Sequence, residues 1–174
     1  MATPVLPPPI GPRDHARGRI DAPVVLLEYG DFECPQCARA YPIVRAIERQ
    51  FGDRLCFVFR SFPLTNVHVF AQRAAEAAEW AATHDAFWPM HDAIYAEQAR
   101  LSVSHLLAVA RRLGLDAAGL EAAWGTHAFV RRVKDVFLGG IESGVQGTPA
   151  FFVNGIRQPA WDAATLVRAI EAHL

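Results

Sequence analysis

The 174-residue sequence predicts an α/β fold, in which helices flank a mixed central sheet and an all-helical domain is inserted. The first observation is a strand, helix and strand pattern before residue 65, and the second is a strand pair and a helix after residue 144. The third is the segment between them, which is rich in alanine and has helical periodicity. We therefore predict a flexible proline-rich lead over residues 1–13, a mixed-sheet domain formed by residues 14–64 and 145–174, and an inserted helical domain over residues 65–144.

The first predicted unit is a strand, a helix and a second strand. Residues 14–18 are polar and are expected to form a turn before it. Residues 22–29 are largely β-branched and aliphatic, which is typical of a buried strand. Cys34 is expected at the start of the helix, because Pro35 suits the first helical position and apolar residues then recur at helical spacing. Residues 54–61 form a second apolar run, so the unit is predicted to be right-handed with parallel strands.

The helical segment is predicted to contain five helices separated by short turns. Each begins near a residue whose side chain can accept a hydrogen bond from the first turn of a helix. These residues are Asn66, Asp85, Ser102 or Ser104, Asp116 and Thr126. Apolar side chains follow each of them at helical spacing, so each helix is expected to bury one face.

The C-terminal part returns to strands. Residues 150–153 are apolar and predict a strand, and Asn154-Gly155 is a strong signal for a two-residue hairpin turn. Residues 156–158 are expected to pair back onto that strand. Asp162 is then expected to cap a last helix.

Two cysteines three positions apart are the strongest functional signal in the chain. Cys34 is expected at a helix start, where unpaired N–H groups and the helix dipole favour the thiolate form. Cys37 lies one turn further on and within reach of Cys34, so we expect Cys34 to attack a substrate and Cys37 to resolve the mixed disulfide. Two alternatives stay open: a chance pair of core cysteines, and half of a zinc site, whose further ligands neither Cys56 nor the histidines supply at a matching spacing.

Composition and charge argue against several classes of function. The hydrophobic fraction of 52% supports a packed core, and the formal net charge of −1 argues against a nucleic-acid partner. Residues 1–19 have no apolar run of the kind that a secretory signal or a membrane anchor needs. We therefore expect a cytoplasmic protein without a membrane partner, or a periplasmic one if a leader was removed. No motif indicates a cofactor, and Cys56 is expected to be a small buried side chain in its strand.

Three segments that lie far apart in the sequence share residues with a known family. The first contains Ala22-Pro23-Val24, Glu28-Tyr29 and Asp31-Phe32-Glu33-Cys34-Pro35-Gln36-Cys37, and the other two are Arg60-Ser61-Phe62-Pro63-Leu64 and Gly147-Thr148-Pro149-Ala150-Phe151-Phe152-Val153-Asn154-Gly155. Through them the chain resembles the DsbA-like branch of the thioredoxin superfamily, the thiol–disulfide oxidoreductases that carry a helical domain inserted into a thioredoxin fold. The resemblance covers roughly Asp14 to the C-terminus and implies the same fold here.

The resemblance also implies roles for residues beyond the cysteines. Pro149 is expected to be cis and to face the cysteines with Thr148, whose backbone would pair with an extended substrate strand. Glu28 matches a buried acid of the family that lies below the second cysteine, where a raised pKa would let it take the Cys37 proton. The alternative for Glu28 is a carboxylate that faces solvent at a strand end. His68 is expected either to serve the site or to bond to backbone at a helix start.

The two residues between the cysteines, Pro35 and Gln36, are expected to contact substrate and to help set the redox potential. Strongly oxidising relatives have a histidine before the second cysteine, and the neutral Gln36 amide stabilises a thiolate less, so we expect a moderate potential. The predicted function is the exchange of disulfides with protein or peptide substrates, with a separate redox partner or glutathione completing the cycle. The alternative is a non-catalytic interaction module with a redox-sensitive disulfide.

Overall fold

The computed structural model describes residues 8–174, and residues 1–7 of the predicted lead lie outside the described residues. The described chain contains the strands β1 (His15–Arg17), β2 (Val24–Gly30), β3 (Leu55–Ser61), β4 (Ala150–Val153) and β5 (Ile156–Arg157). They form one sheet in the order β1-β3-β2-β4-β5. β2 is parallel to β3 and antiparallel to β4, and β1 and β5 lie antiparallel at the two edges. The sheet is therefore mixed, as the sequence predicts.

Seven α-helices accompany this sheet in the described residues. They are α1 (Pro35–Phe51), α2 (Ala71–Ala82), α3 (Phe87–Ala96), α4 (Val103–Arg112), α5 (Ala117–Gly125), α6 (Val130–Glu142) and α7 (Ala163–Glu171). Short 3₁₀ helices, Gly52–Arg54 and Gln98–Arg100, follow α1 and α3. Five of the helices, α2 to α6, lie between β3 and β4, while the limits of the domains stay a prediction. Among residues 8–174, no helix has both the length and the apolar composition needed to span a membrane.

The central strand β2 is buried on both faces of the sheet. On one face Leu26 belongs to a core that includes side chains of α1, α3 and α7, and on the other face Leu27 and Tyr29 pack with Phe152. A strand covered on both faces needs apolar residues throughout, which explains the unbroken run that begins this strand. The carboxyl ends of β2 and β3 and the amino end of β4 lie side by side at the same end of the strands. The loops attached to these three ends are therefore neighbours.

The local signals for the hairpin and for three helix starts are confirmed. Asn154 and Gly155 adopt positive φ angles of 46° and 81° and form the two-residue turn between β4 and β5. The side chains of Ser102, Asp116 and Asp162 cap α4, α5 and α7 by accepting hydrogen bonds from the backbone N–H groups of His105, Ala118 and Thr165. Each of these signals depends on residues that are adjacent in sequence, so the sequence alone could reveal it.

Three predicted helix starts and one predicted turn are wrong. The helices expected from Asn66, Asp85 and Thr126 begin later, at Ala71, Phe87 and Val130. Asp85 has a φ of 55°, a left-handed conformation that cannot start a helix. Residues 15–17, expected within a polar turn, form β1 because Ala16 pairs with Val58 across the sheet. Because that pairing joins residues far apart in the chain, the local sequence does not predict it.

Candidate active site

Cys34 is the N-cap residue of α1 and lies in the loop that follows the carboxyl end of β2. Its backbone is extended, with a φ of −70° and a ψ of 122°, and Pro35 occupies the first helical position. The first N–H groups of a helix have no partner within the helix, and here those of Gln36 and Cys37 favour the thiolate form of Cys34. Pro35 has no N–H to leave unsatisfied, which is why the local sequence is sufficient to place this helix start.

The pKa of the Cys34 thiol is lowered to about 5. The largest cause is a hydrogen bond with the Cys37 thiol. Burial of the sulfur opposes this effect, while the Thr148 side chain and the N–H groups of Cys37 and Gln36 lower the pKa further. Only 5% of the Cys34 surface is exposed. At neutral pH the residue is therefore a thiolate that is largely buried.

Cys37 has the opposite properties, although it lies only one turn away. It is fully buried, and burial raises the pKa of its thiol well above the ordinary value. The hydrogen bond with Cys34 and the charges of Glu28 and Cys34 raise this pKa further, while the Asp31 N–H, which donates to the Cys37 sulfur at 3.4 Å, lowers it. Both cysteines are free thiols in this structure. At neutral pH the Cys34 sulfur is thus ionised, while the Cys37 sulfur beside it is protonated and fully buried.

Glu28 lies in β2 and is 3% exposed, so the alternative of a carboxylate facing solvent is wrong. Burial is the largest cause that raises the pKa of its carboxyl to about 8, and the negative charges of Cys34 and Glu48 raise it further. The charge of Glu28 in turn raises the pKa of Cys37. Glu28 is therefore protonated at neutral pH and is coupled electrostatically to both sulfurs.

Asp31 joins the active-site loop to the loop that follows β3, a contact that the sequence did not predict. Its Oδ1 accepts a hydrogen bond from the Glu33 N–H at 2.8 Å. Its Oδ2 lies 2.7 Å from His68 Nδ1 and accepts from the Leu64 N–H at 2.8 Å. Glu33 makes a parallel connection, because its Oε2 accepts from the Phe70 N–H at 2.6 Å. Three of these hydrogen bonds thus fix residues 64–70 beside the active-site loop, and the fourth lies within that loop.

His68 bonds to the Asp31 side chain, not to backbone at a helix start. Burial of the imidazole lowers its pKa, but the hydrogen bond with Asp31 and the charges of Asp31, Cys34 and Glu33 outweigh that effect. The net result is a raised pKa. The Asp31 carboxylate therefore favours the protonated form of His68 and fixes the position of its ring.

The residues predicted to bind substrate are gathered around the Cys34 sulfur. The Thr148–Pro149 peptide bond is cis and precedes β4. The carbonyl oxygen of Thr148 lies 3.5 Å from Cys34 Sγ. Pro35 and Gln36 are exposed on the first turn of α1. Pro35 and Gln36 follow Cys34 in the chain and Thr148 contacts its sulfur, while contact of these residues with a substrate stays a prediction.

Gln98 is a residue of the site that sequence reasoning missed. It lies in the 3₁₀ turn after α3, and its side-chain amide donates to the carbonyl oxygens of Phe32 at 2.9 Å and Cys34 at 2.8 Å. The helical segment thus fixes the peptide groups on both sides of Glu33 and Cys34. A glutamine more than sixty positions away offers no spacing signal, so only the tertiary structure shows this contact.

Cys56 packs in a different hydrophobic cluster from Cys34 and Cys37. It is fully buried in β3 and belongs to the hydrophobic cluster on the opposite face of the sheet, and burial raises the pKa of its thiol. Within residues 8–174, no three histidine, cysteine or acidic side chains are grouped so that they could hold a metal ion.

Comparisons with known proteins agree with this geometry at the level of the family. The family model described as thioredoxin matches residues 11–172. The Na(+)/H(+) antiporter NhaA 1 of Salinispora arenicola is 46% identical over 150 residues, which are 86% of this chain and 23% of the antiporter. The chain thus spans about a quarter of the length of the curated relatives it matches.

Solved structures show the same fold. Oxidised BdbD from Bacillus subtilis has a TM-score of 0.83 and 23% identity, and the match covers 91% of each chain. The alpha-DsbA1 protein of Wolbachia pipientis has a TM-score of 0.81 and 17% identity, with 94% of this chain and 92% of that chain covered. The predicted fold, a thioredoxin fold with inserted helices, is confirmed.

Proposed function

This chain belongs to the thioredoxin family and has the fold of its DsbA-like members, and from that premise we propose that it exchanges disulfides with protein or peptide substrates. The observation that carries the proposal is the Cys34 sulfur at the amino end of α1, with a pKa near 5 and the Cys37 thiol beside it. A thiolate is the species that attacks a disulfide, so this sulfur is reactive at neutral pH. The buried Cys37 then has the position of a resolving thiol.

The proposed reaction has two steps. The Cys34 thiolate attacks one sulfur of a substrate disulfide, which breaks that bond and forms a mixed disulfide. Cys37 then loses its proton and attacks Cys34, which releases the second substrate sulfur as a thiolate and leaves Cys34 and Cys37 joined. Two electrons pass from the protein to the substrate, and the reverse sequence oxidises a substrate dithiol. A separate redox partner or glutathione restores the starting state.

Glu28 is proposed to handle the proton of the second step. The Cys37 thiol is the weaker acid of the pair and needs a base when it attacks. The thiolate charge of Cys34 contributes to the raised pKa of Glu28, and that charge disappears when the mixed disulfide forms. The pKa of Glu28 then falls, and its carboxylate becomes available to accept the Cys37 proton at the moment when it is needed.

Pro35, Gln36, Thr148 and Pro149 are proposed to position the substrate at Cys34. Gln36 offers a neutral amide beside the thiolate, so the potential is proposed to be moderate. Titration of the cysteine pair against glutathione buffers measures it directly. The predicted cytoplasmic location and the identity of the redox partner stay predictions.

The pH dependence of cysteine alkylation tests the proposed function. Iodoacetamide should label Cys34 with a midpoint near pH 5, and at pH 7 its rate should exceed that of Cys37 on the order of a hundredfold, because the thiolate fraction sets the rate. Cys34→Ser should abolish exchange with a disulfide-bonded peptide, and Cys56→Ala, which removes the remote cysteine, should not.

Equal and slow labelling of both cysteines would contradict the proposal. Stoichiometric zinc in the purified protein would favour the metal-binding alternative. A Cys34→Ser variant that loses exchange but keeps its biological effect would favour the non-catalytic interaction module.

A further inference from the structure

A cavity of about 410 Å³ lies between α2 and α6, and the cysteine pair does not line it. α2 contributes Arg73 and Glu76 to its lining, and α6 contributes Val133, Lys134 and Phe137. Ligand cavities in proteins commonly have volumes of about 300–1,000 Å³, so this cavity has room for a small molecule. Its lining combines both signs of charge with apolar side chains.

Glu76 is a buried carboxyl that lacks a full set of hydrogen-bond donors. It is 3% exposed, and its Oε1 accepts a hydrogen bond from Gln72 Nε2 at 3.1 Å. Among the described residues, no donor reaches its Oε2. Glu79, one turn further along α2, is also buried, but its Oε2 lies 3.0 Å from His15 Nε2 and 3.2 Å from Arg132 Nε. A buried carboxyl oxygen without a donor is unfavourable, so Glu76 is suited to a ligand that supplies one.

The two cations that line the cavity, Arg73 and Lys134, have no acidic partner. Neither forms an ion pair with an acidic side chain in the part of the chain that the structure describes. Arg73 instead lies over the Trp124 ring, with its Cζ 5.5 Å from the ring centroid, and Lys134 is exposed on α6. Both charges are therefore available to a ligand that carries a negative group.

We propose that this cavity binds an α-amino acid with an apolar side chain. The ammonium group of the ligand pairs with Glu76, and its carboxylate pairs with Arg73 and Lys134. Its side chain packs against Val133, which is 1% exposed, and Phe137, which is half-buried. The inference does not depend on the proposed exchange function, because the cysteines do not line the cavity.

The arrangement of charge favours a zwitterion over a ligand of one sign. A simple amine would satisfy Glu76 but would bring its positive charge close to Arg73 and Lys134. A simple carboxylate would pair with these cations but would leave Glu76 without its donor. Only a ligand with both groups pairs every charge that lines the cavity, and an unpaired charge on either side costs affinity.

Three ligands of nearly equal size test the assignment. L-leucine carries both charged groups, 4-methylpentanoate lacks the ammonium group, and 3-methylbutylamine lacks the carboxylate. Isothermal titration calorimetry of the full chain at pH 7 measures the three dissociation constants. L-leucine should bind most tightly, and loss of the ammonium group should weaken binding roughly tenfold, because a charge-assisted hydrogen bond in a buried site is lost.

Substitutions assign each charge of the ligand to its partner. Glu76→Gln should weaken L-leucine binding roughly tenfold and leave 4-methylpentanoate binding unchanged, because the latter has no ammonium group. Lys134→Gln should weaken both ligands about threefold, since the pair is exposed to solvent. Arg131→Gln is the matched control, because Arg131 is an exposed cation of the same helix that does not line the cavity, and it should change neither constant.

Lys134 also provides a direct readout, because it is the only lysine of the chain. Acetic anhydride should label it more slowly when L-leucine is present, and mass spectrometry compares this rate with that of the amino terminus as an internal reference. Equal dissociation constants for L-leucine and 4-methylpentanoate, or no binding of L-leucine to the wild type at about 10 mM, overturn the assignment. The ligand series on the wild-type protein decides the question even if the Glu76→Gln variant does not fold.

Discussion

Glu28 and Asp31 are two buried carboxyls three residues apart at the same end of β2, and their surroundings are opposite. Glu28 is 3% exposed and Asp31 is 1% exposed. Asp31 receives hydrogen bonds from two backbone N–H groups and pairs with His68. Within the described part of the chain no donor reaches the Glu28 carboxyl, and burial together with neighbouring negative charge raises its pKa to about 8.

The comparison shows that burial alone does not decide what a carboxyl does. Donors aimed at an ionised carboxyl offset the loss of its hydration, and Asp31 uses them to join two loops. A buried carboxyl without donors is more stable with its proton, and Glu28 can therefore exchange that proton near neutral pH. One acid holds the site together, and the other is proposed to serve its chemistry.

The largest expected effect is the loss of stability in Asp31→Asn. The amide keeps one acceptor oxygen and turns an N–H₂ group toward donors that need an acceptor, so the free energy of unfolding should fall by about 4 kcal/mol. Urea denaturation at pH 7 measures it. Asp53→Asn at an exposed position is the control and should change the value by less than about 0.5 kcal/mol. If the two variants were equally stable, the anchoring role of Asp31 would be wrong.

Glu28→Gln should raise the free energy of unfolding instead of lowering it, and the size of this increase should depend on pH. The folded protein keeps a proton on Glu28 up to about pH 8, whereas the unfolded chain releases it near the ordinary value of 4.5. The stability that this proton supplies is complete below pH 4.5 and falls as pH rises to 8. Gln has no proton to lose, so the variant should be more stable than the wild type by about 3 kcal/mol at pH 7.

Denaturation of the Glu28→Gln variant between pH 4 and pH 9 measures this difference, which should vanish at the acid end. Glu121→Gln, at an exposed position of α5, is the matched control and should follow the wild-type curve. A constant difference between Glu28→Gln and the wild type across that range would contradict the proton-holding interpretation of Glu28.

Gln98→Leu should change the free energy of unfolding least. It tests whether charge matters for holding the active-site loop, because Gln98 fixes the same loop as Asp31 without any charge. The substitution removes two hydrogen bonds to backbone carbonyls and should lower the free energy of unfolding by about 2 kcal/mol. Gln158, which is half-buried and also donates to a carbonyl, is the control, and Gln158→Leu should cost less than about 1 kcal/mol. A loss in Gln98→Leu as large as that in Asp31→Asn would show that charge is not what distinguishes the two anchors.

The features that the sequence predicted correctly depend on neighbouring residues. Pro35 after Cys34 starts α1, Asn154-Gly155 makes the hairpin turn, and Ser102 caps α4 through a residue three positions later. Features that depend on distant residues were missed. Examples are β1, which exists only because it pairs with β3, and Gln98, which reaches the active-site loop from another segment.

The sequence by itself determined that Cys34 lies at the start of α1, because proline suits the first helical position that follows it. It also determined the fold class, through the periodicity of apolar residues. Only the tertiary structure decided the electrostatics around that sulfur. Whether Glu28 lost its hydration and whether Asp31 found hydrogen-bond donors depend on which distant segments pack together, because the dielectric surroundings of a charge are a property of that packing.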